Sequence, residues 1–291
     1  MAYGLRAVAG MPPHMTASGA GMMRAGSRAD TRFPGASPSN RSLERGLRIL
    51  RVFRPGASLR GNNEIAERAG LPRSTVSRLT QTLVACGFLE HDRTADAYRL
   101  GPAVLSLAEA FIAGSDVLLV AVPLMRRVSE ELQVNVGLAM ADGDEMVYLH
   151  AFRRNCVGMP RHVTTGHRTP VELTSLGRAH LATLGEPDLD RFLEGLRPRY
   201  ADRWERLEQD IRESVRQVHE MGYCQVNWLP GVTSIATSIR LRSGVVYFIN
   251  ISVSTKLFGQ QQVAGQLVPE LLGMADAIRQ GLDSADSRAA V

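Results

Sequence analysis

The chain has 291 residues, 44% apolar and 22% charged, with a net charge of +5. That balance excludes a wholly disordered chain, and the length allows two domains. No window approaches the run of about 18 apolar residues that a membrane-spanning helix needs. Cys86, Cys156 and Cys224 are odd in number and widely spaced, which fits reduced thiols in a cytoplasmic protein better than disulfides or a zinc site.

The charge is unevenly placed. Residues 1–40 carry four Arg and one Asp, and residues 41–100 carry eleven Arg and six acids, which leaves −3 for the remainder. A basic N-terminal third on a mildly acidic body points to a polyanion-binding module joined to a part with another task.

Residues 1–40 are rich in Gly, Ala, Ser, Pro and Met and have no apolar period, so they are expected to form a disordered tail and a poor secretory signal. Met11, Met15, Met22 and Met23 are alternative starts within it. Order is expected from Asn40–Ser42, which would cap a helix with Leu43, Leu47, Leu50 and Phe53 on its inner face. "NNEIAERAG" reads as a short helix capped by Asn62 or Asn63 and closed by Gly70.

Pro72 then opens "LPRSTVSRLTQTL", in which Leu71, Val76, Leu79 and Leu83 recur at helical spacing. Two helices joined by a short glycine-containing turn are a helix-turn-helix. "FLEHDRTADAYRL" follows as a β-hairpin turning over Asp92–Asp96, which in that place is a wing.

The outer face of the second helix is Arg73, Ser74, Thr75, Ser77, Arg78 and Gln81, and no acid occurs from Arg73 through Leu89. A merely solvated helix would ordinarily carry acids. Guanidinium and amide groups read purine edges, and hydroxyls reach bases or phosphates. These six residues are therefore the candidate DNA-reading set, with Arg93 at the wing tip as a backbone or minor-groove contact.

Beyond Gly101–Pro102, "AVLSLAEAFIAG" reads as a helix with Val104, Leu105, Ala108, Phe111 and Ile112 apolar. A second, longer helix follows, and Pro123 implies that it starts near there or kinks. From about Asn135 the pattern becomes mixed: a hairpin turning at Asp142-Gly143, a helix in "TSLGRAHLATL", and a long helix closed by Gly222. Two strands around Ser243-Gly244 and a last helix over 263–281 complete the series, with a polar tail after it. The expected division is a tail over 1–40, a DNA-binding domain over 41–102, linker and dimerisation helices over 103–134, an α/β domain over 135–281, and a tail over 282–291.

"SLERGLRILRVF", "EIAERAGLPRSTVSRLTQTLVACGFLEHD" and "YRLGPAVLSLA" resemble the winged helix-turn-helix of IclR-family bacterial transcription regulators. The resemblance continues through "TSLGRAHLA", "GVTSIATSIR" and "INISVST". It implies an α+β chain: a winged helix-turn-helix, a linker helix, and a GAF/profilin-like effector-binding domain with an antiparallel sheet. It also implies a homodimer or dimer of dimers acting on a double-stranded DNA operator under control of a small organic or aromatic acid.

The family's pocket positions fall on Ser175, Leu176, Ser234, Ser252 and Ser254. Strand alternation adds Leu138, Met140 and Tyr148, and Trp228 would be a wall or lid. Hydroxyls at a helix start suit a carboxylate. The chain departs from the family pattern in "QVNWLPG", which has no acid.

His150, His162 and His167 lie near Arg153, Arg154, Arg161 and Arg168. Most of this cluster belongs on solvated strands and loops, with some of it placed to receive an anionic effector. HExxH, CxxC, G-x-S-x-G and phosphate-loop motifs are all absent. No metal, nucleotide or other cofactor and no membrane partner are expected. Two other readings stay open: a purely oligomerising C-terminal domain, and an enzyme acting on a small organic acid.

Overall fold

The computed structural model describes residues 40–54, 58–154 and 163–289; the expected N-terminal tail, Cys156, Arg161 and His162 lie outside them. The chain forms two compact units that divide between Leu105 and Ser106.

The first unit contains α1 (Arg41–Leu50), β1 (Arg60–Gly61), α2 (Asn62–Ala69), α3 (Arg73–Ala85), β2 (Leu89–Asp92) and β3 (Ala97–Leu100). Asn40 caps α1 by accepting from the Ser42 and Leu43 amides. Ile49, Val52, Phe53, Ile65, Ala66, Ala69, Val76 and Leu89 form the core of the unit. Gly70 ends α2 in the left-handed conformation, at φ 61°, which a residue with a side chain adopts only at a cost. The strands pair antiparallel in the order β1-β3-β2.

Three details differ from the sequence reading. Leu43 and Leu47 are 61% and 52% exposed, because the buried stripe of α1 runs through Gly46 and Ile49 instead. Neither Asn62 nor Asn63 caps α2; Gly61 does, without a side-chain bond. The strand β1 carries no alternation by which so short a segment would be read.

In α4 (Ala103–Ala113) no residue is buried. The following α5 (Asp116–Leu132) starts seven residues before Pro123 and contains it. Its Val117, Ala121, Met125 and Val128 are buried, and that packing carries the helix through the proline.

The second unit is built on six antiparallel strands in the order β6-β5-β4-β9-β8-β7. They are β4 (Asn135–Asp142), β5 (Glu145–Phe152), β6 (Arg168–Pro170), β7 (Cys224–Leu229), β8 (Val232–Arg240) and β9 (Val246–Ser254). One face packs on α5 and on α10 (Val268–Ala289), which follows a helical turn α9 (Gln260–Gln262) and a π-helical turn. The other packs on α6 (Ser175–Leu181), α7 (Glu186–Tyr200) and α8 (Trp204–Met221). Each fully buried side chain, such as Phe248 or Leu176, contributes about 2 kcal/mol of transfer free energy.

The β4–β5 loop is Gly143-Asp144, one residue later than expected, with Asp142 opposite Glu145. Arg168 bridges these two carboxylates at 2.7 Å each, which offsets the repulsion of like charges facing across strands. The last helix does not stop at Gly281 either. A Cβ there would lie 2.7 Å from Val120 Cγ1, so this glycine admits α5 rather than ending α10, and Leu282 beyond it is buried. The segment expected as a tail from 282 is therefore helical to Ala289.

The helix α7 and the strands β6 and β7 were not assigned from sequence. Leu189, Leu193 and Leu196 make the buried stripe of α7, and Cys224 and Val226 alternate inward on β7.

Candidate functional site

Two collections of hydroxyl-bearing side chains stand out, one on each unit. On α3, Val76 and Thr80 are buried, and the opposite side carries the residues of interest. Arg73, Ser74, Arg78 and Gln81 are exposed, and Thr75 and Ser77 are half-buried at the edge. Thr80 turns inward and donates to the carbonyls of Val76 and Ser77. Thr82 is exposed and donates to the Arg78 carbonyl.

Among the described residues, neither Arg73 nor Arg78 forms an ion pair, so both guanidinium groups face solvent uncommitted. At the wing, the Asp92 carboxylate accepts from the Thr94 and Ala95 amides at 3.0 Å each. The Ala95 bond leads in holding this carboxyl below its ordinary range. The turn is thereby fixed, and Arg93 is presented exposed at its start.

The second collection lies on the sheet face under α6. Thr174 caps α6, accepting from the Gly177 amide at 3.2 Å. A Cβ on Gly177 would fall 2.0 Å from the Val171 carbonyl oxygen, so α6 is seated directly on the preceding backbone. That seating puts Ser175 Oγ 2.7 Å from Ser234 Oγ on β8. Ser234 in turn lies 3.0 Å from Ser252 Oγ, and Asn250 Nδ2 donates to both Ser234 and Ser252 at 3.0 Å. The Tyr148 hydroxyl shares a hydrogen bond with Asn250, and burial pushes it up to about 12, so it stays a neutral phenol at physiological pH.

Gly137 makes room for this pair. A Cβ there would lie 2.4 Å from Tyr148 Cε1 and 2.6 Å from Asn250 Oδ1.

Tyr148, Ser175, Leu176 and Ser234 are thus brought together with Ser252, all buried or nearly so, and Trp228 packs at half-burial against the same core. Leu138 and Met140 are not part of it. Ala139 is the residue paired with Tyr148, so period-two alternation turns Leu138 and Met140 to the opposite face, where they pack with the α5 and α10 residues. Ser254 is buried but uses its hydroxyl to accept the Lys256 amide at 3.3 Å, outside the network. Asn250 and Gly137 were missed. Counting back by two from Ser252 along β9 reaches Asn250, and the β4 partner of Asn250 is Gly137.

Most of the basic cluster has structural duties. Arg154 pairs with Glu130 and Arg168 with Asp142 and Glu145. His150 lies edge-on to Phe152, with ring centroids 4.8 Å apart, on the α5 side, and its pKa is lowered by burial and then by Arg126. The buried Arg178 donates to the carbonyls of Glu172 and Asp210 and to the Ser214 hydroxyl; it ties α6 to α8. No group of three or more His, Cys, Asp or Glu suited to a metal occurs among the described residues, and no single helix there is long and apolar enough to cross a membrane.

Comparison with known proteins fits both halves. The IclR helix-turn-helix domain matches residues 42–93, and the bacterial transcriptional regulator IclR C-terminal domain matches residues 109–280. The Pca regulon regulatory protein of Pseudomonas putida is 28% identical over 91% of this chain and 90% of its own. An IclR family transcriptional regulator from Brucella abortus, 30% identical, has a TM-score of 0.75 over 84% of this chain and 95% of its own. An IclR homolog from Microbacterium hydrocarbonoxydans, complexed with 4-hydroxybenzoate, shares the fold at 24% identity and a TM-score of 0.66, over 84% of this chain and 99% of its own. The chain belongs to the IclR family of bacterial transcriptional regulators.

Proposed function

We propose that this protein binds a double-stranded operator through α3, with Arg73, Ser74, Thr75, Ser77, Arg78 and Gln81 in the major groove and Arg93 on the backbone or minor groove. The observation that carries this is the acid-free outer face of α3, whose two arginines make no ion pair among the described residues. Guanidinium forks of this kind read guanine or grip phosphate.

The effector is a small organic acid held by Tyr148, Asn250, Ser234, Ser252 and Ser175. The protein senses it rather than converting it. Among the described residues, the serine hydroxyls bond to one another and to Asn250, rather than to a histidine or carboxylate that would activate a nucleophile. 4-Hydroxybenzoate, bound by a structurally similar homolog, is the first compound to test. Ligand control requires that the effector bind the two DNA-binding arrangements unequally.

The protein works in the cytoplasm as a homodimer or dimer of dimers. Leu43 and Leu47 on α1, and Leu105, Leu107 and Phe111 on α4, are all more than half exposed, and a second copy would cover such apolar faces.

The test is Arg78→Ala. Operator affinity at fixed salt is expected to fall about 10- to 100-fold, the range of a lost base or phosphate contact, with the melting temperature unchanged. Unchanged affinity would remove the groove assignment.

A further inference from the structure

We propose that Arg153 supplies the positive charge that makes the Tyr148–Asn250–serine site select a small organic anion over its neutral analogue. This rests on the effector-binding function given above. The hydrogen-bonded network of the site is neutral: it is built of one phenol, one amide and three hydroxyls. Such groups bond a carboxylic acid's amide as readily as the acid. The start of α6 adds little, because the helix spans seven residues and Thr174 already takes the Gly177 amide. Selection for an anion therefore needs a cation from elsewhere.

The strand register supplies one. Phe152 turns to the α5 face, where Arg126 lies 5.4 Å over its ring. Ala151, on the opposite face, sits directly across from Gly137. β5 ends at Phe152, but the Arg154 amide beyond it donates to Asn135 Oδ1 at 3.0 Å, so the chain runs on beside β4 and alternation returns Arg153 to the Gly137 face. On that face Gly137 is paired with Asn250, and Asn135 with Ser252. The Arg153 charge reaches the Tyr148 hydroxyl, where it opposes the upward push of burial.

A guanidinium fork also matches a carboxylate in shape, which a lysine ammonium does not.

The experiment uses the full chain and ligand pairs: benzoate, 4-hydroxybenzoate and phenylacetate, each with its primary amide, measured by calorimetry at fixed pH and salt. The unmodified protein is expected to bind at least one acid ten-fold or more tighter than its amide. Arg153→Met should lose ten-fold or more in affinity for the acid and close the gap to the amide, with Arg153→Lys intermediate. Melting of the unliganded variants checks that they fold, and Arg153→Lys decides the matter if the methionine variant does not. Equal acid binding by the folded variants and the unmodified chain overturns the Arg153 assignment while leaving the effector site standing. Equal binding of acid and amide by the unmodified chain overturns the anion selection. If none of the acids binds the unmodified chain, the effector reading fails, and this inference with it.

Discussion

The chain uses serine and threonine in two opposite ways. On α3, Ser74, Thr75 and Ser77 lie at or near the surface beside arginines. Under α6, Ser175, Ser234 and Ser252 are bonded to one another and to Asn250 at 2.7–3.0 Å. The residue type is the same; the partners differ. A solvated hydroxyl has water as its partner, so its removal should be nearly silent for stability. A buried hydroxyl in a network costs stability when removed, because its neighbours are left unpaired in a medium without water.

The largest expected effect breaks the seat of the buried set. A Cβ on Gly177 would lie 2.0 Å from the Val171 oxygen and 2.3 Å from its Cα, and neither backbone atom can move without shifting the β6–α6 connection. Gly177→Ala is expected to destabilise the C-terminal unit by about 3 kcal/mol or more. Ser74→Ala on α3 should stay within about 0.5 kcal/mol. Urea unfolding followed by tryptophan fluorescence measures the first cleanly, since both tryptophans, Trp204 and Trp228, belong to the C-terminal unit. A Gly177→Ala protein as stable as the parent would show that α6 is not seated as described.

A smaller effect separates the two hydroxyl sets directly. Ser234→Ala removes a bond partner of Ser175, Asn250 and Ser252 together, and should cost about 1–3 kcal/mol. Ser77→Ala should cost less than about 0.5 kcal/mol in stability while still weakening operator binding. Equal stability losses at the two serines would erase the distinction.

The outer face of α3 was legible because helical period, an acid-free run and a glycine-proline turn all agree between Gly70 and Leu89. The buried site was legible only in part. Its serines came from family motifs, but Leu138 and Met140 were assigned to the wrong face because one register step reverses every side chain. The pairing Ala139–Tyr148 follows an irregularity between Leu138 and Ala139, which no alternation pattern reveals. The exposure of Leu43 and Leu47 was likewise hidden: a helix with two adjoining apolar stripes does not say which one its own unit buries. Gly281 misled because the packing of α10 against Val120 of α5 overrides the local breaker signal.

The smallest expected effect concerns pH and again falls on one side of the comparison. The outer face of α3 carries no histidine or acid, whereas α6 carries His180, which lies edge-on to Phe248 with ring centroids 5.4 Å apart. Burial pushes the His180 pKa down to about 4, against about 6.5 for the unfolded chain. Between those values the unfolded chain binds a proton that the folded chain does not. Stability therefore falls as pH drops from 6.5 toward 4, by about 1–2 kcal/mol at pH 5 from this one group. Glu172 acts in the opposite sense, because burial raises its pKa and protonation then favours the fold. Comparing the parent with His180→Gln cancels that contribution. Tryptophan-detected urea unfolding at pH 7 and pH 5 should show the parent losing more stability than the variant. Equal losses would mean that the imidazole takes up its proton without leaving the ring of Phe248.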